Sequence, residues 1–151
     1  MESVDLVDVV SAVCDDYHVA DGISLSRDIP MNLPFILADP LLLQHILFNL
    51  IDNAARHCRT MIVVSAEQSA NRLTLHVSDD GPGVPADERA RIFERFSRIE
   101  GNDRNAGSGL GLAIVKGFAE AMDMTANVGT SAQGGACFSL SMPVAEGARL
   151  S

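Results

Sequence analysis

The segment Arg72-Leu73-Thr74-Leu75-His76-Val77-Ser78-Asp79-Asp80-Gly81-Pro82-Gly83 joins an alternating run of residues to a sharp glycine-rich turn. Leu73, Leu75 and Val77 alternate with polar residues, so 72–78 is predicted to be a strand with one buried face. The turn ends the strand abruptly, because glycine and proline disfavour both strand and helix. Two acidic side chains are therefore expected at the end of a strand, next to a flexible backbone.

The chemistry of this turn depends on Asp79, the first of the two acidic residues. A carboxylate at a strand end accepts hydrogen bonds but cannot donate them, which suits the exocyclic amine of adenine. Gly81 and Gly83 would let a flat ring approach the backbone closely. A plain tight turn between a strand and a helix is the alternative interpretation of the same residues.

A second alternative is a dinucleotide-binding turn, because the spacing Gly81-x-Gly83-x-x-Ala86 after a strand matches the loose fingerprint of that fold. Charge argues against it, since two aspartates would lie beside a pyrophosphate. Pro82 and Pro85 also remove two of the backbone donors that the anion needs. We therefore reject this alternative.

Outward from this strand, the sequence predicts one mixed α/β domain. Hydrophobic periodicity and turn residues predict these elements: a helix near 4–19, strands at 23–29 and 35–38, a helix from Asp39 to about Arg56, a strand at 61–66, a short helix at 85–93, a helix from Ser108, and strands at 126–128 and 136–142. The polar segment 97–106 is predicted to be a mobile loop. Hairpin and crossover connections both occur in this order, which favours a two-layer α/β sandwich with a mixed sheet covered on one face by helices.

Polar residues share one side of the helix that begins at Asp39. Asn49, Asn53, Arg56 and His57 follow one another at spacings of four, three and one. Asparagine offers a neutral oxygen to Mg²⁺ and can donate to a phosphate oxygen, while arginine can bind phosphate with two nitrogens. A solvated helix face is the alternative interpretation of this pattern taken by itself.

A glycine-rich loop runs directly into the last helix. It has the sequence Gly107-Ser108-Gly109-Leu110-Gly111-Leu112-Ala113. Backbone N–H groups in such a loop and the positive end of a helix dipole together form a cradle for phosphates. No Lys-Ser or Lys-Thr pair follows in the register of a P-loop, so this is not a Walker site.

Composition limits the class of function. The chain has 151 residues and a formal net charge of −9, which argues for one domain and against binding to nucleic acid. Three scattered cysteines indicate reduced thiols rather than a disulfide framework or a structural metal site. The acidic N-terminus does not resemble a signal peptide and no segment is apolar enough to span a bilayer, so we expect a soluble cytoplasmic fragment.

Four motifs in order resemble those of the catalytic ATP-binding domain of sensor histidine kinases, within the Bergerat-fold group that includes gyrase-type ATPases and Hsp90-type chaperones. The resemblance extends from about 4 to 144, with a lid at about 97–106. The motifs are Asn49-Leu50-Ile51-Asp52-Asn53-Ala54 (N box), Asp79-Asp80-Gly81-Pro82-Gly83-Val84 (first glycine box), Ile92-Phe93-Glu94-Arg95-Phe96 (F box) and Gly107 to Val115 (second glycine box). Their joint presence overrides the alternatives for each motif alone.

The resemblance implies a role for each matching residue. Asn53 would bind Mg²⁺, Asn49 phosphate or metal, Arg56 phosphate, Asp79 the adenine amine, and His57 would stack near the base. Phe93 and Phe96 would anchor the lid, and Arg98 and Lys116 are further candidates for phosphate contacts. The ATP or ADP site would also include these residues of the glycine boxes: Gly81, Gly83, Val84, Gly107, Ser108, Gly109, Leu110, Gly111 and Leu112.

The resemblance also separates a kinase from a hydrolase. Hydrolytic members place a glutamate four residues before the metal-binding asparagine, and here that position is Asn49. An amide is no base for water, so transfer is expected to await an outside nucleophile. Two alternatives remain within the same fold: an anti-sigma-factor-type serine kinase and a non-catalytic interaction module.

A partner is implied because none of the four histidines lies in the phosphoacceptor context of the family. Full activity is expected to need a helical phosphoacceptor domain of the same or another chain, with a response regulator downstream. The resemblance is to the cytoplasmic part of membrane-bound sensors, with no direct membrane contact by this fragment. Two stretches, 95–99 and 135–138, are similar to those of potassium-responsive sensor kinases.

Overall fold

A computed structural model describes residues 1–94 and 111–145 of the chain. In chain order the elements are β1 Glu2–Val4, α1 Leu6–Asp16, β2 Ser24–Asp28, β3 Ile36–Ala38, α2 Pro40–His57, β4 Met61–Ser69, β5 Arg72–Asp79, a single 3₁₀ turn Ala86–Glu88, α3 Gly111–Ala121, β6 Thr125–Thr130 and β7 Ala136–Pro143.

Five strands form the main sheet, in the order β2-β4-β5-β7-β6. β2 and β4 are parallel, and all other neighbours are antiparallel. A parallel pair needs a crossover between its strands, and the long helix α2 lies in that connection. β1 and β3 form a separate antiparallel pair, with Val4 opposite Ile36. The mixed sheet predicted from the sequence is confirmed.

One face of the sheet is buried and the other is not. Leu73, Leu75 and Val77 of β5 are buried, and the residues between them are half-buried. β7 repeats the pattern, with Phe138 and Leu140 on the inner face. These side chains form one core with the apolar faces of the three helices, so the helices cover a single face. The two-layer sandwich is confirmed.

The outer strands of the sheet, β2 and β6, have mostly polar and exposed residues. β2 reads Ser-Leu-Ser-Arg-Asp, and only Leu25 is not fully exposed. Its Arg27 makes an ion pair with Asp15 of α1 at 3.2 Å. β6 reads Thr-Ala-Asn-Val-Gly-Thr and is exposed at both ends. The apolar core therefore ends inside both edges.

The helix α2 begins and ends where the sequence predicts. The Asp39 carboxylate accepts hydrogen bonds from the N–H groups of Leu41 and Leu42, and Pro40 occupies the first helical position. Arg56 and His57 lie in the last turn, where positive charge is favourable to the helix dipole. This helix carries the predicted polar face to the end of β5.

Two sequence predictions were wrong. The helix predicted at 85–93 is only a 3₁₀ turn at Ala86–Glu88, followed by further turns. That segment buries Phe93 but no continuous apolar stripe, and a helix this short is not stable without one. The first helix begins at Leu6 instead of Val4, because Glu2–Val4 pairs with β3 as a strand. No helix in the two described ranges has the length and apolarity needed to cross a membrane.

Candidate functional site

The centre of the candidate site is the buried carboxylate of Asp79, which is 1% exposed. Its Oδ1 accepts hydrogen bonds from the N–H of Gly81 at 2.8 Å and the N–H of Ala136 at 3.2 Å. Its backbone oxygen accepts from the Ser131 hydroxyl at 2.7 Å, and that hydroxyl accepts from the N–H of Gly135 at 3.0 Å. The residue is therefore held by its own turn and by the β6–β7 hairpin.

The second oxygen of this carboxylate differs from the first. Oδ2 of Asp79 is buried and accepts no hydrogen bond from any residue that the structure describes. An unpaired buried oxygen on an ionisable group is costly, and folded proteins rarely keep one without a use for it. Because Oδ1 is already taken by two donors, Oδ2 is left to accept from a ligand.

Two glycines allow the backbone to close tightly around Asp79. A Cβ on Gly81 would contact the backbone oxygen of His57 and lie 2.9 Å from the carbonyl carbon of that residue. A Cβ on Gly135 would contact the backbone oxygen of Asp79 and lie 2.6 Å from the N–H nitrogen of Gly81. The end of α2, the turn after β5 and the β6–β7 hairpin therefore meet at one point.

The beginning of α3 is adjacent to the polar face of α2. A Cβ on Gly111 would lie 3.3 Å from Oδ1 of Asn49. The side-chain nitrogen of Asn49 donates to the backbone oxygen of His45 at 2.9 Å, which turns its oxygen towards α3. The start of the last helix and the first asparagine are thus neighbours, as an anion site shared by both would require.

Farther along the same face, His57 is exposed at the helix end. Its Nδ1 lies 2.9 Å from the backbone oxygen of Asn53, so this nitrogen is the protonated one. The hydrogen bond fixes the ring at the last turn of α2, and the backbone oxygen of His57 lies beside Gly81. The stacking of His57 near the base stays a prediction.

Arg56 lies on the neighbouring flank of α2 and pairs with Asp52. Its Nη2 donates to Oδ2 of Asp52 at 2.9 Å, and its Nε donates to the same oxygen at 3.2 Å. The other oxygen of Asp52 accepts from the Tyr17 hydroxyl at 2.8 Å. A chain of hydrogen bonds from α1 thus holds the guanidinium, and its predicted phosphate contact stays a prediction.

This arrangement predicts an unusual titration of Tyr17. Burial of the ring and the hydrogen bond to Asp52 raise the pKa of Tyr17 to about 12. It is the only tyrosine, and the chain has no tryptophan. Near-ultraviolet phenolate absorbance therefore reports this residue alone, and we expect its midpoint at about pH 12.

Asp52→Asn is expected to shift this midpoint towards the ordinary tyrosine value of about 10, without reaching it, because burial remains. The raised pKa of Tyr17 also makes the free energy of unfolding depend on pH. The unfolded chain ionises its tyrosine first, so the contribution of Tyr17 to stability is complete below the ordinary pKa and is lost as the pH rises through the folded one. Circular dichroism at each pH would show that the chain is still folded. An ordinary midpoint in the wild type would contradict the Tyr17–Asp52 contact.

Asp80, the second aspartate of the turn, points away from Asp79 towards the α2–β4 connection. Its carboxylate accepts from the N–H groups of Arg59 at 2.7 Å and Thr60 at 3.1 Å, and from the Thr60 hydroxyl at 2.8 Å. Partial burial opposes ionisation, but the donors of Thr60, Arg59 and Met61 outweigh it and hold the pKa of Asp80 well below its usual range. The two aspartates therefore have separate tasks, one at the pocket and one in the loop.

The remaining predicted site residues divide by position. Gly83 has a positive φ of 81°, which favours glycine. Val84 and Leu112 are partly buried against the core. Phe93 is buried and meets Phe138 edge-on, with ring centroids 5.9 Å apart. Lys116 is exposed on α3, and the remaining predicted residues lie outside the described ones: Phe96, Arg98, Gly107, Ser108, Gly109, Leu110 and the lid at 97–106.

Sequence reasoning missed Ser131 and Gly135 as supports of Asp79. Within the described ranges, Ser131 and Asp79 are the buried polar residues, and the Ser131 hydroxyl donates to the backbone oxygen of Asp79. The pair Gly134-Gly135 before a strand was a visible turn signal. The next residue, Ala136, donates to Asp79, which lies 57 positions earlier, and no local sequence pattern indicates that contact.

Comparison with known families agrees with this geometry. Residues 38–146 match the family described as histidine kinase-, DNA gyrase B-, and HSP90-like ATPase. The chain belongs to this ATPase family. The matched region includes α2, the turn after β5 and the β6–β7 hairpin, and thus the whole surroundings of Asp79.

Within this ATPase family, the chain is similar to the catalytic parts of bacterial sensor kinases. It is 47% identical over 135 residues to the sensor protein RstB of Escherichia coli K12, which covers 84% of this chain and 31% of RstB. It is 35% identical over 147 residues to the sensor protein KdpD of Rathayibacter rathayi, covering 96% of this chain and 17% of KdpD. The chain thus spans a third or less of the length of these two relatives, and its identity to KdpD is lower than its identity to RstB.

Solved structures of the ATPase family have the same fold. Full-length ShkA in complex with AMPPNP superposes with a TM-score of 0.82 at 32% identity, over 98% of this chain and 32% of ShkA. The ATP binding domain of PrrB from Mycobacterium tuberculosis gives 0.77 at 29% identity, over 96% of this chain and 98% of that domain. The α/β sandwich predicted from the sequence is the fold of this group.

Proposed function

We propose that the chain binds Mg-ATP and transfers the γ-phosphate to a histidine on a separate helical phosphoacceptor domain in two-component signalling. The observation that carries this proposal is the buried Oδ2 of Asp79, which accepts no hydrogen bond from the described residues. Membership in the ATPase family supports ATP as the ligand. The AMPPNP complex of ShkA, a structural relative, supports the same ligand class.

The adenine end of the site would be read by Asp79. The exocyclic amine of adenine is a donor, and Oδ2 is an acceptor already fixed in place by the two donors on Oδ1. His57 would stack near the base, and Gly81 and Gly83 would let the ring approach the backbone. Because these groups are held before any ligand arrives, little ordering entropy is lost on binding.

The phosphate end would be bound by the α2 face and the start of α3. Asn53 would bind Mg²⁺, Asn49 would contact phosphate or metal, and Arg56 would contact phosphate. The described residues contain no group of three or more His, Cys, Asp or Glu side chains arranged to hold a metal. The donor set is therefore amides and phosphate oxygens, which suits Mg²⁺, a hard ion that binds nucleotides through few protein ligands. The ion would neutralise charge on the transferred phosphoryl group.

Asn49 favours phosphotransfer over hydrolysis. Its side-chain nitrogen donates to the His45 carbonyl, so its oxygen faces the start of α3. An amide in this position cannot take a proton from water, so free ATP should be hydrolysed slowly. The same residue argues against the anti-sigma-type serine kinase.

We further infer the partners and the location from the sensor kinase relatives. The phosphoacceptor would be a helical domain of the same or a partner chain, and a response regulator would receive the phosphoryl group from it. The place of action would be the cytoplasm, which supplies ATP and keeps thiols reduced, and Cys14, Cys58 and Cys137 are all free. There this chain would form part of a membrane-bound sensor.

Calorimetric titration with ATP and ADP, with and without Mg²⁺, tests the proposal. We expect Mg²⁺ to strengthen ATP binding. Asn53→Ala should lower the affinity for ATP in the presence of Mg²⁺ roughly tenfold, about 1.4 kcal/mol, and leave metal-free binding unchanged. Asn127→Ala removes an exposed amide on β6 and serves as the matched control. Adding a helical histidine domain of a related sensor kinase should then yield acid-labile phosphohistidine.

The opposite results are equally clear. A folded chain that binds no nucleotide at millimolar concentration would overturn the proposal and favour a non-catalytic interaction module of the same fold. Rapid hydrolysis of ATP without a phosphoacceptor would contradict the role argued for Asn49. Binding with no transfer to any histidine domain would restrict the chain to nucleotide recognition.

A further inference from the structure

The outer face of the sheet, opposite the face that buries Asp79, carries a cluster of reactive side chains. We call it the thiol cluster: Cys137 and Ser139 of β7, His76 of β5 and Glu67 of β4. His76 pairs directly with Ser139 across the strands, and Cys137 lies two residues earlier on the same face. None of these residues has a role in the proposed binding of ATP.

Hydrogen bonds within the thiol cluster determine which nitrogen of His76 carries the proton. Nε2 lies 3.2 Å from Oε2 of Glu67. A carboxylate accepts and does not donate, so Nε2 carries the hydrogen and Nδ1 is a hydrogen-bond acceptor. Nδ1 lies 2.7 Å from Oγ of Ser139 and 3.6 Å from Sγ of Cys137. The imidazole thus presents an acceptor to the thiol, with Glu67 behind it.

The other two thiols have different surroundings. Burial raises the pKa of Cys14, and burial together with the carboxylates of Asp80 and Asp79 raises the pKa of Cys58. Neither shift favours the thiolate, which is the nucleophilic form. Cys137 has an imidazole acceptor within reach instead, on the face of the sheet opposite the core that α1, α2 and α3 form with it.

We propose that Cys137 is a modification site for low-molecular-weight disulfides of the glutathione type, with His76 as the base. The thiol gives its proton to Nδ1 of His76, and the thiolate attacks one sulfur of the disulfide. A bond forms between Sγ of Cys137 and that sulfur as the bond between the two sulfurs of the reagent breaks. The leaving thiolate takes the proton back from His76, so the disulfide is the only oxidant consumed.

The position of Cys137 determines where the adduct would lie. Its neighbours Ala136 and Phe138 point to the inner face, where Ala136 donates to Asp79 and Phe138 packs on Phe93. Cys137 points the opposite way, so the adduct extends from the outer face of the sheet. The adduct would therefore lie on the side of the sheet opposite the inner-face contacts of Ala136 and Phe138.

Site-resolved mass spectrometry after incubation with oxidised glutathione tests this. The three cysteines of one chain compete, so each serves as a control for the others. We expect Cys137 to react first, on the order of tenfold faster than Cys14 and Cys58. His76→Gln should lower the rate at Cys137 by a similar factor and leave the rates at Cys14 and Cys58 unchanged.

Two further variants separate activation by His76 from simple exposure. Ser139→Ala removes the competing donor on Nδ1, so the rate at Cys137 should rise. Glu67→Ala changes an exposed side chain, 69% accessible, and should lower that rate because the imidazole loses its orientation. The proposal fails if Cys137 reacts no faster than the other two, or if neither His76→Gln nor Glu67→Ala slows it.

Discussion

Asp79→Asn is expected to weaken ATP binding about 100-fold while the chain stays folded. The donors on Oδ1, the N–H groups of Gly81 and Ala136, require an acceptor, so the asparagine oxygen takes that place. Its NH₂ group then replaces the unpaired Oδ2 and meets the amine of adenine donor to donor. A lost charge-assisted hydrogen bond and an unpaired buried donor together cost roughly 3 kcal/mol, or about 100-fold in affinity.

Calorimetry with ATP measures the effect, and Asp87→Asn is the matched control. Asp87 is exposed in the 3₁₀ turn, so the control makes the same change of charge outside the pocket. Its affinity should remain within about twofold of the wild type, since exposed charges interact weakly through water. Full affinity in Asp79→Asn would show that Oδ2 does not read the base. Guanine nucleotides, which present a carbonyl in place of the amine, should bind poorly to the wild type.

Gly135→Ala is expected to destabilise the fold and to disrupt the same pocket. The new Cβ would contact the backbone oxygen of Asp79 and lie 2.5 Å from its Oδ1 and 2.6 Å from the nitrogen of Gly81. Backbone atoms on both sides cannot move aside as a flexible side chain could. We expect a loss of about 2–3 kcal/mol in the free energy of unfolding, or roughly 5–10 °C in Tm.

Gly117→Ala is the control for this prediction. Gly117 lies inside α3, and its Cβ would have no heavy atom within 4 Å. Alanine in an open helix position should raise stability by about 0.5–1 kcal/mol. The Tm values of the two variants, measured by thermal unfolding, should therefore shift in opposite directions. An unchanged Tm in Gly135→Ala would mean that the hairpin does not close on Asp79 as the structure has it.

The strands and the long helix were predictable because their signals are local. The alternation at 72–78 fixes both the strand and its buried face, and Asp39-Pro40 marks the start of α2. Motif order then predicted Asp79 and the asparagines as one site. The structure brings the end of α2 to the turn after β5 and the start of α3 to Asn49, and the shared binding site stays a prediction.

What the sequence could not provide depends on contacts between distant residues. β1 is three residues long and exists because β3 pairs with it, so local propensity does not indicate it. Ser131 resembles any turn serine until the fold places it under the backbone of Asp79. The partner of Arg56 was missed for another reason. The spacing of Asp52, one helical turn before Arg56, allows an ion pair that the sequence could have indicated. The hydrogen bond from Tyr17 that orients Asp52 spans 35 positions and has no local signal.

The polar outer strands have a consequence for the behaviour of the chain in concentrated solution. An open sheet offers unpaired backbone groups at both borders, and flat apolar borders invite stacking of one copy onto another. Here β2 presents serines and two adjacent charged residues, Arg27 and Asp28, and β6 presents threonines and Asn127. Joining two such borders would bury charge and hydroxyl groups with little apolar gain. The sheet can therefore remain open, without a closing partner, and still resist aggregation between copies.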